Sequence, residues 1–235
     1  MKKKVILLML FGLGLCLCSL AVALGGLSTG EDLRLGWRGY HGYSISYAPG
    51  EGEPPGGGDC ANVGVVYPEN PFQGWPVDFR MGEMESISFA YCAPYPDGSS
   101  HWGLDFGGDG VDGAGVLLTA ERAIVRQANR CPDEDCWNYG MGRMVQVEAQ
   151  IPVENYAECV SLQGGDPEAA ACWADSGWLA TYMHLSEVGV DVDQIVHRDD
   201  VLGKVGATGN TLIPHLYYQI NSSIEVIDPT PTLGG

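Results

Sequence analysis

Five histidines carry most of the chemical information in this 235-residue sequence. His101 and Asp105 are spaced His-x-x-x-Asp, which can place an imidazole and a carboxylate around one cation where the backbone turns suitably. His184 ends one predicted strand and His215 begins another, at residues 215–220. Taken singly, each histidine is explained as well by a hydrogen-bonded or solvent-exposed imidazole, so their chemistry depends on whether the fold brings them together.

Alternation along a strand decides which neighbours of His215 can share its site. Because successive strand side chains point to opposite faces, His215 and Tyr217 lie on one face and Leu216 on the other. The remaining histidines are poorer candidates. His197 precedes a charged turn, and His41 lies in a segment rich in Gly, Pro and acidic residues.

The elements that must position these residues are predicted to be strands. From about residue 75, short apolar alternations are separated by turn residues, with predicted strands near residues 87–91, 116–119, 122–126, 144–147, 179–183, 201–205 and 216–220. Short connections favour antiparallel pairing, so the fold class is mostly β. One short helical turn is expected from Asp166, inside a long connection at 151–177 that could shape or cover a groove.

Cysteine usage indicates an oxidising compartment. Six cysteines lie beyond residue 23, an even number that allows 15 disulfide pairings. The sequence-local set is favoured, because each bridge would close a loop dense in turn residues. A metal-thiolate site is the weaker alternative, since paired CxxC spacing is absent. The favoured set is Cys60 with Cys92, Cys131 with Cys136, and Cys159 with Cys172.

The N-terminus has the pattern of an export signal. Three lysines at positions 2–4 precede an uncharged apolar run at residues 5–24, which is long enough either for a cleaved signal peptide or for a membrane anchor. Residues 1–23 are therefore predicted to be a signal peptide or signal anchor, residues 24–74 a Gly/Pro-rich acidic linker, and residues 75–235 one domain. The domain is expected outside the cytoplasm, and contact with a membrane only through an uncleaved N-terminal segment.

Net charge excludes one class of partner. The whole chain carries 12 basic and 30 acidic side chains, a formal charge of -18, and without residues 1–23 the charge is -21 with Lys204 as the only lysine. Such a surface repels the phosphate backbone of nucleic acids and other anionic polymers. Recognition must then come from a groove rather than from charge.

Three ordered blocks give the sequence a family resemblance. His101-Trp-Gly-Leu-Asp105-Phe, Ala180-Thr-Tyr-Met-His184-Leu-Ser, and the stretch from Gly203 through Pro214-His215-Leu-Tyr217 resemble the M23 zinc metallopeptidases of the lysostaphin/LytM type, which cut peptide cross-links of bacterial peptidoglycan. The resemblance implies a compact antiparallel β-sheet or β-sandwich domain of the duplicated hybrid motif type, with a groove over the sheet. It also implies Zn²⁺ as the cofactor and peptidoglycan peptides as the substrate.

The same resemblance suggests a role for each site residue. His101 and Asp105 would be zinc ligands, and His184 and His215 would handle the proton and stabilise the intermediate. The third ligand in this family is the second histidine of a His-x-His motif, and that position is Tyr217 here. A phenol must lose a proton with a pKa of about 10 before it can bind zinc as phenolate, so zinc is expected to bind weakly or not at all.

Three functions are compatible with this reading. The first is a monomeric, exported zinc endopeptidase with an altered ligand set. The second is a non-catalytic domain of the same fold that binds peptidoglycan or regulates another cell-wall hydrolase, which Tyr217 favours. The third is an acidic, disulfide-stapled protein of adhesion or envelope structure, which would leave the three blocks to chance.

Overall fold

The computed structural model describes residues 60–78, 86–96, 98–132 and 136–234. The predicted signal segment, His41 and residues 24–59 of the predicted linker lie outside the described residues, so the predicted domain boundaries stay predictions. Within the described ranges, no helix is both long and apolar enough to cross a membrane.

The described part of the chain forms one sheet of ten antiparallel-paired strands, which confirms the mostly-β prediction. The main path through the sheet is β1-β2-β9-β6-β5-β4-β7; β10 pairs with β9, and β8 pairs with both β3 and β6. The strands are β1 (Ile87–Phe89), β2 (Leu104–Gly107), β3 (Gly115–Leu117), β4 (Arg122–Asn129), β5 (Arg143–Pro152), β6 (Trp173–Val188), β7 (Ile195–His197), β8 (Val201–Val205), β9 (His215–Asn221) and β10 (Val226–Ile227).

Strand β9 shows why the sheet has two chemically different faces. Its even-numbered side chains, Leu216, Tyr218 and Ile220, are fully buried in the core. Removing a large apolar side chain of this kind from water stabilises the fold by about 1.5–3 kcal/mol. The odd-numbered side chains of β9, which include His215 and Tyr217, therefore lie on the opposite face.

Strand β6 changes partner in its middle. Residues Leu179 to Met183 pair with β9, and residues Leu185 to Val188 pair with β8. The residue between the two ladders is His184, whose φ of 64° is left-handed. The pairing of β6 with β5 shifts register at the same place, so His184 occupies a bulge.

The connection between β5 and β6 differs from its prediction. The strands continue to Pro152 and start again at Trp173, which pair with each other, so the predicted loop at 151–177 is shorter than expected. It contains an unpredicted helix α1 (Tyr156–Leu162), while the turn expected from Asp166 is a single 3-10 turn at Ala170–Cys172. This loop lies about ten strand residues, roughly 30 Å, from His184, so it does not cover the site.

All three predicted disulfides are present: Cys60–Cys92, Cys131–Cys136 and Cys159–Cys172. The first of them ties residues 60–74, the described part of the predicted linker, to the sheet. Phe72 in this segment is fully buried, and the Asn62 amide donates to the carbonyl of Val226. These described residues therefore pack as part of the domain.

Candidate active site

His101 reaches the site from the segment before β2. Its side chain is 1% exposed, and its ring lies against Phe89 and Tyr95. Nδ1 lies 3.0 Å from the carbonyl oxygen of Ala90. A carbonyl can only accept, so Nδ1 carries a hydrogen and Nε2 is the nitrogen that faces the site.

Asp105, on β2, faces that lone pair. Nε2 of His101 is 3.1 Å from Oδ1 of Asp105. A proton on Nε2 makes this contact a hydrogen bond, and without that proton the two lone pairs face each other and can bind one cation. The pair can therefore act as two ligands of one metal ion when Nε2 is unprotonated.

His215 approaches the other oxygen of the same carboxylate. Its Nδ1 donates to the carbonyl of Ile213 over 2.9 Å, and its Nε2 lies 3.7 Å from Oδ2 of Asp105. The main-chain carbonyl thus orients the imidazole through Nδ1, so that Nε2 faces the site, as in His101.

His184 is the third imidazole held in this way. Its Nδ1 donates to the carbonyl of Thr208 over 2.8 Å, and its backbone N–H donates to the carbonyl of Met141. Its ring centroid is 4.7 Å from that of His215. Burial, and next the neighbouring His215, lower the pKa of His184 to about 4. The ring is therefore neutral at neutral pH, with Nε2 free to accept a proton.

Thr208 fixes the carbonyl that orients His184. Its hydroxyl donates to the carbonyl of Leu185 over 2.8 Å and accepts from the N–H of Arg143 over 2.9 Å. Gly142 packs so closely on Thr208 that an added Cβ would overlap the Thr208 backbone, and its φ is +66°. The left-handed His184 is thus held by two adjoining loops, and such strain is found where a site requires it.

Tyr217 lies on the same face as His215, and its ring packs between two of the imidazoles. Its ring is 5.1 Å from that of His101, centroid to centroid, and 6.2 Å from that of His184. The hydroxyl donates to Oε1 of Gln219 over 2.8 Å. The ring passes over Gly103, where a Cβ would lie 2.8 Å from Tyr217 Cζ.

Two of the three expected ligands, His101 and Asp105, are suited to a zinc ion, and the third, Tyr217, is not. His101 and Asp105 present facing lone pairs, while the Tyr217 oxygen is engaged with Gln219. In the described ranges, no group of three or more His, Cys, Asp or Glu side chains has the arrangement of a metal site. A catalytic zinc usually has three protein ligands, so this set predicts weak binding.

The other histidine in the described residues lies elsewhere. His197 is on β7, at the opposite end of the strand order from β2, and its Nε2 is 3.0 Å from Glu168. Its exclusion from the site agrees with the sequence prediction.

Sequence reasoning missed the walls of a cavity of about 750 Å³ that opens beside Asp105 and His215. One wall is the loop at residues 209–214, and another is Trp137, next to the Cys131–Cys136 disulfide. Two features of the sequence could have indicated these walls. One is a Trp beside a short disulfide loop, and the other is the apolar pair Leu212 and Ile213 within a Gly/Thr/Pro turn.

Comparison with known proteins gives a match to one family model over part of the chain. The family model described as Peptidase family M23 matches residues 169–229, a segment that contains His184, His215 and Tyr217. Over these residues the chain is similar to peptidase family M23.

Solved structures similar to this chain include three bacterial proteins. The lysostaphin catalytic domain from Staphylococcus simulans is 24% identical, with 63% of this chain and 91% of that domain covered and a TM-score of 0.43. A zinc-containing peptidase from Vibrio cholerae is 18% identical, with 68% and 38% covered and a TM-score of 0.42. Csd3 from Helicobacter pylori is 17% identical, with 71% and 36% covered and a TM-score of 0.45. The chain thus spans less than half of the latter two proteins.

Proposed function

We propose that the protein is an exported endopeptidase that hydrolyses peptide cross-links of bacterial peptidoglycan. The observation that carries this proposal is the convergence of three imidazoles, each oriented through Nδ1 by a main-chain carbonyl, around the Asp105 carboxylate. Hydrogen bonds of this kind hold catalytic and metal-binding histidines in one tautomer and one orientation. The three disulfides support export, because they persist in oxidising compartments.

In this proposal the metal is held by His101 and Asp105, with Tyr217 as the expected but poorly placed third ligand. When bound, zinc would polarise the scissile carbonyl and acidify a water molecule. With a pKa of about 4, the Nε2 of His184 is unprotonated at neutral pH, and it would accept a hydrogen bond from the attacking water, whose proton the bound metal makes easier to remove. His215, when it carries a proton on Nε2, would donate a hydrogen bond to the oxyanion.

Zinc analysis combined with a cleavage assay tests this function. Purified protein, assayed with zinc kept in the buffer, should release peptides from cross-linked peptidoglycan, and His101→Ala should lose both zinc binding and the release. His184→Asn should keep the metal, because it is not among the proposed ligands, and lose the release. Retention of full cleavage by His184→Asn would refute the assigned mechanism.

A second candidate is a non-catalytic domain that binds peptidoglycan or regulates another cell-wall hydrolase. The hydrogen bond from Tyr217 to Gln219 favours it, because a phenol donating to an amide oxygen is not a zinc ligand. This candidate predicts sedimentation of the protein with insoluble peptidoglycan, no peptide release, and no zinc after dialysis against buffer.

A further inference from the structure

The cavity beside the site has an unusual outer wall, which we call the apolar rim: Trp137, Leu212, Ile213 and Pro214. The side chains of Leu212 and Ile213 are 98% and 73% exposed, and that of Trp137 is 53% exposed. Single exposed apolar side chains are ordinary, but several that border one cavity mark a binding surface.

The apolar rim is held in place rather than left to move. The Thr211 hydroxyl donates to the carbonyl of Ile213 and accepts from its N–H, which closes a tight turn. On the other side, the carbonyl of Trp137 accepts from the N–H of Gly140 over 2.7 Å. The N–H of Asn210 donates to the carbonyl of Gly140 over 2.7 Å and so joins the two parts of the rim. A wall fixed before binding loses little conformational entropy when it is occupied.

The charged side chains around the cavity limit the kind of chemical group that can bind in it. Among the described residues that line it, none is Lys or Arg, and Asp105 is the only acidic one. Asp105 is assigned to the metal in the proposed function, so the rest of the lining offers an anionic side chain no lysine or arginine, in a chain whose net charge is -18. An uncharged aliphatic group gains by removing apolar surface of the rim from water.

The position of the rim relative to His215 indicates where the uncharged aliphatic group would lie in a substrate. The carbonyl of Ile213 accepts the hydrogen bond that orients His215, and Pro214 of the rim directly precedes this imidazole of the site in the chain. Glycines at 107, 108 and 209 form other parts of the wall and allow a peptide main chain to approach closely.

We propose that the apolar rim is a specificity subsite that binds an uncharged aliphatic side chain of the peptide, on a residue adjoining the bond that is attacked. This inference rests on the proposed peptide-cleaving function, and it adds which side chain is selected and which residues select it. Leu212 and Ile213 are the specificity-determining residues, and Trp137 closes the subsite.

Binding of short capped peptides to the full-length protein tests the inference without requiring turnover. Three peptides of equal length would carry Leu, Gly or Glu at one central position, with binding followed by titration calorimetry. The Leu peptide should bind about tenfold more tightly than the Gly peptide, and the Glu peptide most weakly. The double variant Leu212→Ser/Ile213→Ser should lose the preference for Leu.

Leu162→Ser is the matched control, because Leu162 is 77% exposed on α1, far from the cavity. It should leave the preference unchanged. Equal binding of the three peptides, or an unchanged preference in the double variant, would overturn the inference. Selective binding without any cleavage would refute the proposed hydrolysis and leave the subsite in place, whereas cleavage without selectivity would refute only the subsite.

Discussion

The hydroxyl of Tyr217 donates a hydrogen bond to Oε1 of Gln219, two residues further along the same face of β9. The Gln219 amide in turn donates to Oδ1 of Asn221 over 2.8 Å, and Gln219 is fully buried. The amide is therefore held with its oxygen towards Tyr217. A carbonyl oxygen stabilises the phenol and not the phenolate, so this ladder works against metal binding by Tyr217.

The substitution Tyr217→His is expected to raise zinc affinity by at least tenfold. An imidazole can offer one nitrogen to the metal beside His101 and Asp105, and its other N–H can donate to Gln219, as histidine ligands usually do. Competition with a chromophoric chelator measures the change. Tyr217→Phe is the control, because it removes the hydroxyl without adding a ligand, and an equal gain in that variant would contradict the explanation.

The substitution Thr208→Val is expected to lower the free energy of unfolding by about 1–3 kcal/mol, because the buried N–H of Arg143 and carbonyl of Leu185 lose their shared partner. Urea unfolding measures this change. Thr208→Ser keeps the hydroxyl and should stay close to the wild type. A comparable loss in Thr208→Ser would show that the methyl group, and not the hydrogen bonds, stabilises the loop.

Stability should depend on pH through His184. Its pKa is about 4 in the folded state and about 6.5 in the unfolded chain, so between these values the unfolded chain binds the extra proton. The free energy of unfolding of metal-free protein should therefore fall as the pH drops from 6.5 to 4, by up to about 3 kcal/mol, and level off below. Urea titrations at several pH values measure the slope, and His184→Asn should flatten it.

Removal of the Cys159–Cys172 bridge should destabilise the chain without changing the site. The bridge spans 13 residues, for which loop-closure entropy predicts a loss of about 3 kcal/mol. The double substitution Cys159→Ala/Cys172→Ala tests this by thermal unfolding. Since the loop lies at the far end of β5 and β6, zinc and peptide binding should be unchanged at temperatures well below the melting transition.

The strands that position the site were predictable because their signals are local. The predicted strand at 201–205 matches β8, and the alternation around His215 correctly separated the face of Tyr217 from that of Leu216. Helix α1 gave no comparable signal. None of its residues is buried, so it lacks the apolar periodicity by which an amphipathic helix is recognised.

Features that depend on contacts between distant segments were not predictable. The left-handed φ of His184 follows from the change of strand partner in β6, and no residue type marks it, because the position is not a glycine. The partner of the Tyr217 hydroxyl depends in the same way on side-chain rotamers along β9. The sequence could indicate which residues converge, but not how their hydrogens are arranged.

Because His184 lies between two ladders, the site is complete only after both ladders have formed. Pairing of β6 with β9 alone, or with β8 alone, would leave one side of His184 without the ladder that follows it. The Thr208 carbonyl that orients the ring follows β8 in the chain, and His215 begins β9. A chain in which β8 and β9 had not joined the sheet would therefore lack both the carbonyl that orients His184 and the neighbouring imidazole of His215.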